Sequence, residues 1–256
     1  MASAVSTSRL QATAFTHQGA VRAANEDTIA VGAWVMSEPM AAPQAFALEI
    51  ARPVICLVAD GMGGHAAGEV ASRVVAERLT EQAGRAVDAP AVAKLLADVH
   101  AELFELMREQ PRLGGMGTTV AGVALGPAGS LVFNLGDSRV YRIDDGRLEQ
   151  LSTDDTPGPK LADGRTAAMT SNLITQTLGG AYQATAIEPH LLAPPPAGRE
   201  RYLICSDGLS DLVSRGGLEA CLHADDRGSV EALFRAAMAA GGTDNVSIVI
   251  LDLRRA

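Results

Sequence analysis

Between residues 90 and 110 the apolar positions fall at Val92, Leu95, Leu96, Val99, Leu103, Leu106 and Met107. That spacing gathers them on one stripe of an α-helix, and Pro90 and Pro111 mark its two ends. A shorter stripe of Val230, Leu233, Phe234, Ala237 and Met238 stops at Gly241-Gly242, a pair suited to a helix C-terminus. A third helix is predicted over roughly 66–82, behind the glycine-rich Asp60-Gly61-Met62-Gly63-Gly64. Short β-branched or apolar runs at 53–59, 118–125, 131–135, 139–143, 201–205 and 246–253 read as strands.

The middle strands follow one another too closely for parallel crossovers, and Asp144-Asp145-Gly146 is a turn between two of them. Hairpin strands combined with long helices imply packed antiparallel sheets covered by helices, not an alternating βαβ chain. Segments 37–44, 152–164 and 194–198 are rich in Pro, Gly or small polar residues, but none is long enough to link two domains. A single domain over 1–256 is expected.

Composition narrows the classes of function. A formal charge of −9 argues against nucleic-acid binding through a basic surface. No window approaches the apolar run of about 20 residues that a bilayer span needs, and the N-terminus does not read as a secretory signal. Cys56, Cys205 and Cys221 fit no zinc spacing and read as free thiols, which points to a cytoplasmic protein. No exposed apolar stripe demands a partner copy, so a monomer is expected.

The chemistry lies in acidic residues at the ends of apolar strands. The run Val54–Ala59 leads into Asp60-Gly61, Tyr202–Cys205 into Ser206-Asp207-Gly208, and Leu131–Leu135 into Gly136-Asp137. Asp244-Asn245 opens the last strand, and Asn25-Glu26-Asp27 precedes an early one. Asp-Gly alone is a common turn dipeptide, and Glu26 and Asp27 alone would pass for a solvated pair. Together, five acidic segments fit hard divalent cations, which take oxygen ligands. Clustered carboxylates without a cation would repel one another.

These segments, in this order, resemble the metal-dependent protein phosphatases of type 2C, especially the compact bacterial members. The resemblance runs through Arg22-Ala-Ala-Asn-Glu26-Asp27, Asp60-Gly-Met-Gly-Gly, Gly117-Thr118-Thr119, Gly136-Asp-Ser-Arg139 with Tyr141, Leu151-Ser-Thr-Asp154, Ser206-Asp-Gly-Leu209 with Asp211, and Asp244-Asn245. It implies an α+β fold, a four-layer α-β-β-α sandwich with two central antiparallel sheets flanked by helices. It also implies two Mn²⁺ or Mg²⁺ ions. Asp60 would bridge them, Asp207 and Asp244 would complete the first site, and the Gly61 carbonyl and Glu26 would serve the second. Asp27 would orient bound water, Asn245 would support Asp244, and Asp137 with Asp207 would hold a third, weaker cation.

The implied reaction is hydrolysis of phosphoserine and phosphothreonine by a metal-bridged hydroxide, with Arg22 holding the phosphate. The implied partners are phosphorylated proteins and a Ser/Thr kinase whose work is reversed. Thr118, Ser138, Arg139 and Tyr141 read as structural. Two departures stand out: Met62 replaces the histidine proposed as general acid in some members, and Asp154-Asp155 stands where the family often has Asp-His. Segment 156–171 suggests a reduced or differently arranged flap. His65 reads as opening a helix, and His17, His100, His190 and His223 are expected in loops or on solvated faces.

Two other readings stay open on the sequence. One is a catalytically silent interaction module on the same fold. The other is a phosphohydrolase with an aspartyl nucleophile, which usually pairs two aspartates two residues apart, whereas position 62 is Met.

Overall fold

The computed structural model describes residues 8–62, 67–157 and 173–255. Strands β1 (Ser8–His17), β2 (Asp27–Val31), β3 (Trp34–Met36), β4 (Gln44–Ile50) and β5 (Val54–Met62) precede helices α1 (Ala67–Glu81) and α2 (Ala89–Glu109). Strands β6 (Gly117–Thr118), β7 (Val120–Gly126), β8 (Gly129–Leu135), β9 (Arg139–Asp144), β10 (Arg147–Gln150), β11 (Leu178–Gly179), β12 (His190–Leu192) and β13 (Arg199–Cys205) follow. The chain closes through α3 (Asp207–Ser210), α4 (Arg215–Ala220), α5 (Asp226–Ala239) and β14 (Val246–Arg254).

Among the described residues the strands form two antiparallel sheets. One runs β10-β9-β13-β14-β1-β4. The other runs β11-β6-β5-β7-β8-β12, with β2 beside β5 and β3 beside β2. Side-chain alternation sorts each strand into two faces. Leu10, Ala12 and Ala14 of β1, Ile29 and Val31 of β2, Cys56 and Val58 of β5, Tyr202 and Ile204 of β13, and Val249, Leu251 and Leu253 of β14 fill the space between the sheets. Ile55, Leu57 and Ala59 face the other way and pack on α1 and α2. Leu203, Cys205, Ile248 and Ile250 pack on α3 to α5. The expected four-layer α-β-β-α sandwich is the observed architecture.

The helices follow local rules. Asp88 caps α2 by accepting the Ala91 amide at 2.8 Å, and Pro90 lies in its first turn. Asp225 caps α5 by accepting the Gly228 amide at 2.6 Å. The expected run 118–125 is divided into β6 and β7. Its register against β5 continues, with Val58 opposite Ala121 and Gly61 opposite Thr118. At the break the Asp60 amide donates to the Thr119 hydroxyl at 3.2 Å instead of a backbone carbonyl. Strand β1 was not expected: its inner positions alternate through small residues and carry little hydrophobic signal.

Candidate metal centre

At one end of the inter-sheet core the inward positions change from apolar to polar. Thr16 continues the face of Leu10, Ala12 and Ala14, Asp27 that of Ile29 and Val31, and Asp60 that of Cys56 and Val58. From the opposing sheet, Ser206 continues Tyr202 and Ile204, and Ser247 continues Val249 and Leu251. Strand parity therefore aims Asp27 and Asp60 into the gap between the sheets. Asp207 enters the same place from the start of α3, and Asp244 from the turn before β14.

The carboxyls strain against one another. Burial raises Asp27 to about 7, and the charges of Asp207 and Asp244 add to it, while hydrogen bonds from Ser247 and Ser206 oppose it. Burial, then Asp27 and Asp207, hold Asp60 well above the usual carboxylate range. Asp207 is raised by burial and by Asp244. Burial, then Asp207, raises Asp137 to about 7.

Around this cluster the backbone is fixed from several directions. Asn245 accepts the Glu26 amide at 2.8 Å and donates to the carbonyls of Gln18 at 3.1 Å and Ala24 at 2.9 Å, so one buried side chain sets the loop that carries Arg22 and Glu26. Arg22 donates to Asp244 at 2.7 Å. Burial works against its charge, but Asp244, Asp60 and Glu26 keep its guanidinium firmly protonated. Burial raises Glu26, against the pull of Arg22. Gly61 is forced by close approach: a Cβ there would lie 2.3 Å from the Gly68 carbonyl of α1 and 2.5 Å from that of Glu26. Thr118 and Thr119 both bind the Asp60 backbone, and Thr119 meets Ser138 at 2.8 Å. Arg139 joins Asp154 at 2.9 Å to the Ser210 carbonyl at 3.3 Å.

The residues present suit a divalent cation. Asp27 Oδ1, Asp137 Oδ1 and Asp207 Oδ1 are buried and take no hydrogen bond from a donor group among the described residues. Every inward charged group is a hard oxygen donor. Among the described residues no three His, Cys, Asp or Glu side chains are already drawn together as a ligand set. A divalent cation would offset the charge that these carboxylates place near one another.

Of the residues singled out in the sequence, Glu26, Asp27, Asp60, Asp207, Asp244, Arg22 and Asn245 belong to one connected arrangement. Asp137 sits beside Asp207 and is linked to it by charge. Thr16 and Ser247 went unmentioned in the sequence, and Asn25 and Ser206 appeared there without a role. Ser206 donates to Asp27 at 2.8 Å, Thr16 meets Ser247 at 2.7 Å, and Asn25 donates to Thr16 at 2.9 Å. The available signal was polarity at the last inward position of each strand. Three histidines depart from expectation. His17 closes strand β1 and packs against the rings of Phe15 and Phe234. His100 is buried on α2, accepting the Gly179 amide at 3.1 Å, and His190 lies on β12 against Asp155 at 2.9 Å. Cys56 and Cys205 are buried free thiols, and Cys221 is partly exposed. His65 and most of segment 156–171 lie outside the described residues.

A family model described as protein phosphatase 2C matches residues 45–244. "Serine/threonine protein phosphatase PstP" of Mycobacterium tuberculosis is 35% identical over 247 residues, covering 92% of this chain and 43% of the relative. This chain thus spans less than half the length of that relative. "Serine/threonine phosphatase stp" of Listeria innocua is 28% identical over 220 residues, covering 78% of this chain and 84% of the relative. A crystal structure of the catalytic domain of PstP in complex with two manganese ions superposes with a TM-score of 0.76 at 32% identity, covering 97% of this chain and all of that one. With the sandwich and the acidic strand ends in the same order, this chain belongs to the protein phosphatase 2C family.

Proposed function

We propose that this chain, acting as one domain over 1–256, hydrolyses phosphoserine and phosphothreonine in proteins with two Mn²⁺ or Mg²⁺ ions. The observation that supports the proposal is the convergence of acidic side chains at one end of the inter-sheet gap, with Asp27 directly opposite Asp60, Asp27 held by Ser206, and Asp244 held by Arg22. The two manganese ions of the related catalytic domain support the choice of cation. Asp60 would hold both cations, Asp207 and Asp244 the first, and Glu26 with the Gly61 carbonyl the second. A weaker third would rest on Asp137 and Asp207. When bound, such ions supply an acidified water and offset phosphoryl charge.

The chain's own groups do the positioning. Arg22 reaches the mouth of the cleft with its side chain half exposed, and its planar fork of donors matches a phosphate. Asp27, tied by Ser206, is placed to orient water through the oxygen that no donor group occupies. Asn245 holds Glu26 and, through the loop, Arg22.

The names of the relatives favour phosphoprotein substrates, and so a Ser/Thr kinase as the opposing activity. The free thiols fit a reducing compartment and hence the cytoplasm. A monomer is the simplest state for a cleft built within one chain. A silent interaction module is disfavoured because the sequence retains every carboxylate that the metal-dependent members use. The deciding experiment is Mn²⁺-dependent hydrolysis of a phosphothreonine peptide and of p-nitrophenyl phosphate. Asp207→Ala should lose both, and undiminished turnover in that variant would reject the proposal.

A further inference from the structure

One buried carboxylate has no part in the cluster above. Asp155 lies in the loop after β10, with 7% of its surface exposed. Its Oδ2 accepts the Gly136 amide at 2.8 Å, and its own amide donates to the Gly136 carbonyl at 3.0 Å. Gly136 is thereby gripped on both sides. Gly136 has φ +106, and a Cβ would fall 2.6 Å from that of Thr119, so this turn cannot relax by substitution. The other oxygen, Oδ1, takes Gln176 Nε2 at 2.9 Å and faces His190 Nε2 at 2.9 Å. The Asp155 carbonyl accepts the Thr175 amide at 2.7 Å.

Both carboxylate oxygens of Asp155 are thus occupied, and burying it is tolerable only because of those partners. Asn134, paired with His190 across β8 and β12, secures the same loop by exchanging bonds of 3.0 and 2.7 Å with Thr153. The next residue along, Asp137, shows the reverse pattern. Its backbone follows the gripped turn while its buried Oδ1 takes no donor group among the described residues.

We propose that Asp155 is the positioning residue for Asp137, acting through the Gly136 peptide, and that His190 on β12 and Gln176 hold its carboxylate for that task. The proposal rests on the reading of Asp137 as a ligand of the weaker cation site.

The test is calorimetric titration of the full chain with Mn²⁺, run for wild type, Asp137→Ala, Asp155→Ala, His190→Ala and His190→Gln. Asp137→Ala should lose the weaker binding phase. Asp155→Ala should weaken that phase about tenfold and leave the tight phase unchanged. His190→Ala should weaken it less, and His190→Gln, which keeps a donor for Oδ1, should restore it. His190 is partly exposed, so its variants carry the test if Asp155→Ala does not fold. The Mn²⁺ concentration for half-maximal turnover should shift in step, with kcat at saturating metal retained. Isotherms of Asp155→Ala and His190→Ala that superpose on wild type would overturn the proposal. So would a parallel weakening of both phases, or a wild type with only the tight phase. A wild type that binds in both phases but hydrolyses no phosphopeptide would instead overturn the phosphatase reading and leave this one standing.

Discussion

Asp27 on β2 stands directly opposite Asp60 on β5, and both face the gap between the sheets. Like charges in that position destabilise an antiparallel pair. The folded chain answers by raising both carboxyls, and burial raises Asp137 and Asp207 as well. Without a cation the native state therefore holds protons that the unfolded chain would release. This contribution to stability is complete below the ordinary carboxylate pKa of about 4 and is lost as pH rises through about 7.

Metal-free protein should thus lose several degrees of Tm between about pH 5 and about pH 8. Saturating Mn²⁺ should restore more at pH 8 than at pH 5, because the cation replaces the proton. Thermal scans in chelator and in Mn²⁺ check this. A flat metal-free profile across that interval would contradict the charge arrangement.

Arg22→Ala should raise KM for a phosphopeptide about tenfold with a smaller change in kcat, since the role proposed for the guanidinium is to bind the phosphate and not to make the nucleophile. Its ion pair with Asp244 is open to water, so unfolding should change by no more than ~1 kcal/mol. Arg22→Lys should recover only part of the loss, because an ammonium lacks the planar fork. Steady-state kinetics and urea unfolding separate the two effects.

Gly61→Ala would drive a methyl into the carbonyls of Gly68 and Glu26, both of them backbone. Overpacking of this kind costs about 1–3 kcal/mol, and here β5 and α1 must separate to accommodate it. Chemical denaturation reads the loss. A variant as stable as wild type would show that the β5–α1 approach is looser than described.

Asn245→Ala removes three hydrogen bonds that fix residues 18, 24 and 26. Stability should fall by about 2 kcal/mol or more, since buried backbone groups lose partners. Mn²⁺ affinity should fall about tenfold, because Glu26 is then poorly held. Calorimetry on the folded fraction distinguishes this from simple unfolding.

The long helices were legible because their signal is local. The stripe from Val92 to Met107 needs only a 3.6-residue period, and Asp88 and Pro90 fix its start within one turn. The acidic residues at strand ends were legible for a similar reason, since each is announced by its own apolar run. Strands β1, β3, β4, β10 and β12 were not, being short or composed of small and alternating residues whose partners supply the stabilisation.

The kind of chemistry was readable from residue types alone: hard oxygen donors, an excess of acid over base, and no cysteine spacing for a soft metal. Which distant residues become neighbours depends on the folded sheets. Arg22 and Asp244 are 222 residues apart, and Asp27 and Ser206 are 179 apart. Asp155 finds His190 on a strand that no local pattern announced. These pairings depend on strand register, and a shift of one residue would turn Asp27 and Asp60 away from the gap. Register is set by the whole sandwich closing over its core, a property that no short stretch of sequence carries.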